Sequence, residues 1–199
     1  MAGKILILDE FAERYAAALK ARFGALDIIA AATRRELPAD LSAVEVLIAF
    51  GIAIDDDLIG RATSLKWIQS LATGVDHFLK CASLRRETLL TSTRGIHGPA
   101  MREAVAFLML ALTHRSRHLA HNQDARIWDR TRRRPLLAGK SAAIVGVGVS
   151  STAVAQLLKA FGMRITGFSR TPRTVEGFDE IIETAKLAQS VGEADYLVN

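Results

Sequence analysis

The sequence predicts an α/β protein built from two successive βαβ series with parallel sheets. Three observations predict it. Short β-branched or Leu-rich runs alternate with helical patterns along the 199 residues. Half of the residues are apolar, enough for one large domain or two small ones with real cores. The run Ala143-Ile-Val-Gly146-Val-Gly148-Val-Ser-Ser151 passes from an apolar strand into a glycine turn and then into a helical pattern.

The first series has strands at 4–8, 26–30, 44–50, 65–71 and 88–92. Residues 11–23 form an amphipathic helix. The acidic run Asp55-Asp-Asp57 caps a short helix over 58–62, and 75–80 supply another helical turn. Five strands in this span make one small doubly wound domain with helices on both faces of its sheet. A long helix over 99–122 follows, running from Pro99 to Asn122, with the proline well placed at a first helical position. Its stretch 104–112 is apolar all round and is expected to be buried between domains or subunits. Residues 126–137 read as a surface loop.

The second series opens with a strand at 141–145, the glycine turn, and a helix over 150–161. A strand at 164–168 is expected to lie beside the first. A short strand near 179–182, a helix around 184–191 and a strand at 196–198 continue the pattern.

The bulk chemistry narrows the function classes. Cys81 is the single cysteine, which precludes an internal disulfide and fits a reducing, cytoplasmic setting. Neither the apolar run at 5–8 nor that at 104–112 is long enough to cross a bilayer. Net charge is +5, with a cluster at Arg126, Arg130, Arg132, Arg133 and Arg134. No aromatic interleaving or nucleic-acid motif accompanies the cluster, so it reads as a solvated loop rather than a nucleic-acid site.

The glycine turn carries the chemistry. Gly146 lets the chain turn, Gly148 leaves room for phosphates to approach the backbone, and the helix that follows presents free N–H groups to an anion. The residues from Gly146 through Val147, Gly148, Val149, Ser150 and Ser151 are therefore the expected pyrophosphate cradle of a dinucleotide. The pattern is imperfect, because Ser151 stands where a third glycine is usual. Cofactor choice is read at the end of the next strand, Gly167-Phe-Ser169-Arg170-Thr171-Pro-Arg173. An NAD reader places an acid about 20 residues after the glycines, and none stands there. Ser169 and Thr171 can donate to the ribose, while Arg170 and Arg173 can pair with a 2′-phosphate. NADP is thus favoured over NAD.

Ala72-Thr73-Gly74-Val75-Asp76 follows a strand and opens a helical turn, a geometry that can expose consecutive N–H groups to a carboxylate. His114, His118 and His121 share one helix face, but no carboxylate or cysteine is in register with them, so a solvated or interface face is the reading. His77 and His97 read as loop residues, and Cys81 as a buried structural thiol.

Taken together and in this order, five segments resemble the D-isomer-specific 2-hydroxyacid dehydrogenases. They are Trp67-Ile-Gln-Ser-Leu-Ala-Thr-Gly-Val-Asp76, Thr91-Ser-Thr-Arg-Gly-Ile-His-Gly-Pro-Ala-Met-Arg-Glu103, Leu137-Ala-Gly-Lys-Ser-Ala-Ala-Ile-Val-Gly-Val-Gly148, Phe161-Gly-Met-Arg-Ile-Thr-Gly-Phe-Ser-Arg170 and Glu193-Ala-Asp-Tyr-Leu-Val-Asn199. The resemblance implies a flavodoxin-like substrate domain over 1–97, lacking its C-terminal return segment. A Rossmann-type NAD(P)-binding domain follows over 98–199, ending after its fourth strand. It implies hydride transfer between NAD(P)H and a 2-keto or 2-hydroxy acid, in a cleft between the domains. Thr73, Gly74 and Val75 would hold the substrate carboxylate, and Met101 would face the nicotinamide. The helix from Pro99 and the arm around Trp128 would form a homodimer.

Ser150 and Ser151 depart from the family pattern, and Ser92 stands where asparagine is common. A serine Cβ at 151 is expected to crowd the helix against the strand. The family's catalytic arginine, acid and histidine are expected beyond Asn199, so no catalytic residue is assigned within the chain. The 199-residue species is accordingly expected to be inactive and marginal in solution. A catalytically silent nucleotide-binding and dimerisation module is the alternative.

Overall fold

A computed structural model describes residues 3–131 and 135–199, and the chain divides after Arg94 into two compact units. In the first unit, β1 (Lys4–Leu8), β2 (Ile28–Ala31), β3 (Val44–Ala49), β4 (Trp67–Ser70) and β5 (Leu89–Ser92) form an all-parallel sheet. The strand order is β2-β1-β3-β4-β5, the doubly wound order of flavodoxin-like domains. The helices are α1 (Ala12–Phe23), α2 (Asp56–Arg61) and α3 (Asp76–Leu79).

Strand alternation accounts for the two faces. Leu6 and Leu8 of β1 enter the larger core with Leu47, Leu58, Ile68 and Phe78, whereas Ile7 packs on the other face with Ala12 and Ala16 of α1. Both faces are buried, as an all-parallel sheet requires. Helix α2 starts at Asp56, two residues before the expected 58, and the acidic run caps it through its first residue: the Asp55 carboxylate accepts the Leu58 N–H at 3.0 Å and pairs with Arg34.

The second unit contains α4 (Gly98–Thr113), α5 (Ser116–Asp124), β6 (Ser141–Val145), α6 (Val149–Ala160), β7 (Arg164–Ser169), β8 (Glu180–Glu183), α7 (Leu187–Ser190) and β9 (Tyr196–Val198). Its parallel sheet has the order β8-β7-β6-β9. The chain steps outward from β6 to β7 and β8, then returns to place β9 on the opposite side of β6. The end of β6 is therefore a topological switch point, and the glycine turn lies there. Ala142 and Ile144 of β6 and Ile165 of β7 bury against Val154, Ala155 and Leu158 of α6, with Val105 and Met109 of α4 in the same core.

One expectation for this unit is corrected. The predicted single helix over 99–122 is two helices, broken where Arg115 takes a left-handed conformation at φ 52°. At the end of α4, the buried Thr113 hydroxyl bonds the Met109 carbonyl at 2.6 Å and shares a 2.7 Å bond with the Tyr196 hydroxyl. Such back-bonding competes with the helical ladder and bends it. In the stretch 104–112, the chain itself buries Val105 and Met109, while Phe107, Leu108 and Leu112 are largely exposed. Arg132, Arg133 and Arg134 of the basic cluster lie outside the described residues, and Arg126 and Arg130 are exposed.

Two carboxylates fasten the second sheet. Asp179 accepts the Ile165 N–H at 2.7 Å and pairs with Lys159. Asp195 accepts Lys140 at 2.7 Å and both the backbone N–H and the hydroxyl of Ser141, tying β9 to the start of β6. The Lys140 ammonium, followed by the Ser141 N–H, holds the Asp195 carboxyl down to about 2. A depressed carboxyl contributes stability that is complete above its unfolded value and is lost as pH falls through the folded one. Urea midpoints are therefore expected to fall more steeply in the wild type than in Asp195→Asn between about pH 4 and pH 2. Parallel midpoints over that window would remove Asp195 as a fastener.

Candidate functional site

The glycine turn joins β6 to α6, and backbone geometry requires the first of its two glycines. Gly146 has φ +87°, a left-handed conformation that glycine adopts without strain. Its N–H donates to the Phe168 carbonyl at 2.8 Å, which closes the turn onto β7. Gly148 is different: at φ −118°, ψ −172° its backbone suits any residue, and a Cβ there would meet nothing within 4 Å. Neither conformation nor packing requires a glycine at 148. The space in front of α6 that a side chain would fill is open.

The N–H groups of Val147, Val149 and Ser150 donate to no acceptor among the described residues. They adjoin the positive end of α6, where an anion is favoured. Ser151 does not jam the helix as its Cβ was expected to. It is half-buried, its hydroxyl accepts the Gly148 N–H at 2.7 Å, and it donates to the Gly148 carbonyl at 3.1 Å. The serine thus caps the helix that it was expected to crowd. It also occupies one of the donors that the sequence offered to a phosphate.

The tip of β7 faces the same turn. Ser169 is half-buried, while Arg170 and Thr171 are exposed, and Arg170 pairs with no acid among the described residues. Arg173 reaches the turn itself and donates to the Val147 carbonyl at 2.8 Å. Beneath them, β7 and the turn approach closely: a Cβ on Gly167 would lie 2.7 Å from Phe178 and 2.8 Å from Val147. Gly167 and Phe178 were not singled out in the sequence. An isolated glycine inside a strand pattern is the signal that marks such an approach.

In the first unit, the loop after β4 is organised by a residue that sequence reasoning missed. Ser70 is fully buried. Its hydroxyl accepts the Ala72 N–H at 3.1 Å and lies within reach of the Ala72 and Gly74 carbonyls, at 3.0 and 3.3 Å. Thr93 supports the loop from β5 by donating to the Leu71 carbonyl. With its carbonyls turned inward, the loop exposes Thr73 and Gly74 and half-buries Val75. The N–H groups of all three donate to no acceptor among the described residues.

Other singled-out residues do not assemble. His118 lies 3.3 Å from the Asn122 amide and 3.7 Å from the Asp129 carboxylate. Among the described residues no group of three or more His, Cys, Asp or Glu could hold a metal ion. Cys81 is buried beside the His77 carbonyl, and burial raises its thiol above the usual range. Met101 lies half-exposed in the first turn of α4. No helix among the described residues is long and apolar enough to cross a membrane.

Comparison with known proteins follows the same division. Residues 5–103 match the family model described as D-isomer specific 2-hydroxyacid dehydrogenase, catalytic domain, and residues 106–199 match the NAD binding domain of the same family. A D-isomer specific 2-hydroxyacid dehydrogenase family protein from Aeromonas salmonicida is 30% identical with a TM-score of 0.89, over 99% of this chain and 63% of that one. An NADPH-dependent glyoxylate/hydroxypyruvate reductase from Sinorhizobium meliloti, solved with NADP and sulfate, is 28% identical with a TM-score of 0.82, over 99% and 61%. D-3-phosphoglycerate dehydrogenase of Methanocaldococcus jannaschii is 27% identical over 94% of this chain and 37% of its own length. The chain spans less than two thirds of each of these relatives.

Proposed function

We propose, from the premise that this chain belongs to the D-isomer specific 2-hydroxyacid dehydrogenase family, that its glycine turn binds a nicotinamide dinucleotide and prefers NADP to NAD. The observation that carries the reading is the open space at Gly148 beside three N–H groups, those of Val147, Val149 and Ser150, that donate to no acceptor among the described residues. A pyrophosphate supplies the acceptors these donors lack. Ser169 and Thr171 would donate to the adenosine ribose, and Arg170, which pairs with no acid among the described residues, would meet a 2′-phosphate.

When bound, the dinucleotide supplies or accepts the hydride that interconverts a 2-keto acid and a 2-hydroxy acid. The chain's own residues bind and orient. The N–H groups of Thr73, Gly74 and Val75 would hold the acid's carboxylate, with Ser70 keeping the loop in shape. Met101 would pack on the nicotinamide. No residue of the chain is assigned the proton-transfer role, so these 199 residues account for binding rather than for the complete reaction. The exposed apolar side chains Phe107, Leu108, Leu112 and Trp128 favour a homodimer through α4 and the segment after α5. The lone buried cysteine suits a cytoplasmic setting.

Calorimetric titration with NADP and NAD tests the cofactor reading. The wild type is expected to bind NADP more tightly, and Arg170→Ala to lose about tenfold for NADP, the worth of a charge-assisted bond, while NAD binding is unchanged. Equal wild-type affinities would remove the 2′-phosphate reading.

A further inference from the structure

Arg173 and Arg170 stand three residues apart on the same loop, yet the structure gives them different surroundings. Arg170 is exposed and unpaired among the described residues, whereas Arg173 is bonded to the glycine turn 26 residues away in sequence. The acceptor is the carbonyl of Val147. That carbonyl and the N–H of Gly148 belong to one planar peptide group and point in opposite directions. Arg173 holds its oxygen at 2.8 Å, and the Ser151 hydroxyl holds its N–H at 2.7 Å. The peptide is hydrogen-bonded at both ends. The Val147 side chain below it is buried and packs where β7 carries Gly167 in place of a side chain.

We infer that Arg173 is a latch that fixes the orientation of the Val147–Gly148 peptide, and that it thereby sets affinity for the part of the cofactor common to NAD and NADP. The inference rests on the dinucleotide reading of the turn. Arg173 is a positioning residue: it holds the turn so that the adjacent N–H groups of Val149 and Ser150 face the open space at Gly148. Discrimination at the 2′-position falls to Arg170. Two cations that the sequence reads as one phosphate-binding pair are thus divided into a reader and a brace.

Titration of the 199-residue chain with NADPH and with NADH, followed by ligand fluorescence, separates the roles. Arg173→Ala is expected to weaken both by the same factor, about tenfold or more for one lost hydrogen bond to a charged group. The NADPH-to-NADH ratio stays at its wild-type value, and Arg173→Lys, which keeps a donor, recovers part of both affinities. Loss of NADPH affinity alone would make Arg173 a direct reader of the 2′-phosphate and overturn the latch, as would unchanged affinity for both. A cofactor-free readout keeps the latch testable if the wild type binds neither nucleotide. Amide hydrogen exchange at Gly148 is expected to accelerate in Arg173→Ala, because the peptide is released at its oxygen end. Unchanged exchange would overturn the latch, while accelerated exchange without nucleotide binding would retain it and reject the dinucleotide reading.

Discussion

Gly167→Ala is expected to destabilise the second unit by about 1–3 kcal/mol and to displace the glycine turn. Gly167 pairs with Ile144 on one side and Ile181 on the other, in the middle of the sheet. An added methyl would stand 2.7 Å from the Phe178 ring and 2.8 Å from the Val147 side chain, distances that side-chain carbons do not tolerate. Phe178 and Val147 must then move. Val147 belongs to the turn itself, between Gly146 and Gly148, which bond Phe168 and Ser151 respectively, so crowding of its side chain is passed to the turn. Thermal unfolding with and without NADPH checks both consequences: a lowered midpoint in the free protein and a smaller upward shift on adding the nucleotide. A wild-type midpoint would mean that the close approach relaxes freely.

Gly148→Asp is expected to remove nucleotide binding with little change in folding. The backbone at 148 is in an ordinary extended region and a Cβ meets no neighbour, so the fold accommodates a side chain. Aspartate is also a favoured residue at a helix N-cap, so α6 keeps its start. The carboxylate would occupy the open space and place a negative charge beside the site proposed for the pyrophosphate. Two unit charges about 4 Å apart repel by about 4 kcal/mol at an effective dielectric of about 20, which corresponds to a loss of about 1,000-fold. Unlike Gly167→Ala, this substitution separates binding from stability.

How far the sequence carries the account differs from element to element. Strands 4–8, 141–145 and 196–198 emerge with the predicted bounds because each is a short apolar run flanked by turn residues. The glycine turn was readable because Gly146 and Gly148 act through backbone conformation and absence of volume, properties fixed by residue type. The break at Arg115 was not readable. Arginine has no preference for a left-handed conformation, and the Thr113–Tyr196 bond that accompanies the break joins residues 83 positions apart. Ser70 was missed because a serine ending a strand carries no pattern until its hydroxyl is seen turned under the Ala72–Gly74 loop. Arg173 was read as a phosphate partner for its charge, and only the fold shows its guanidinium on the Val147 carbonyl. The apolar pattern of α4 was readable, but which of its faces the chain itself covers was not, since hydrophobicity on every side of a helix does not say what covers each side.

The central claim is that the glycine turn binds a nicotinamide dinucleotide through the space at Gly148. Titration of NADPH into the wild type and into Gly148→Asp, matched for thermal midpoint, tests it most directly. The account predicts saturable one-to-one binding by the wild type and none by the variant at the same concentrations. Wild-type protein that binds no NADPH, or a variant that binds it equally well, would contradict it.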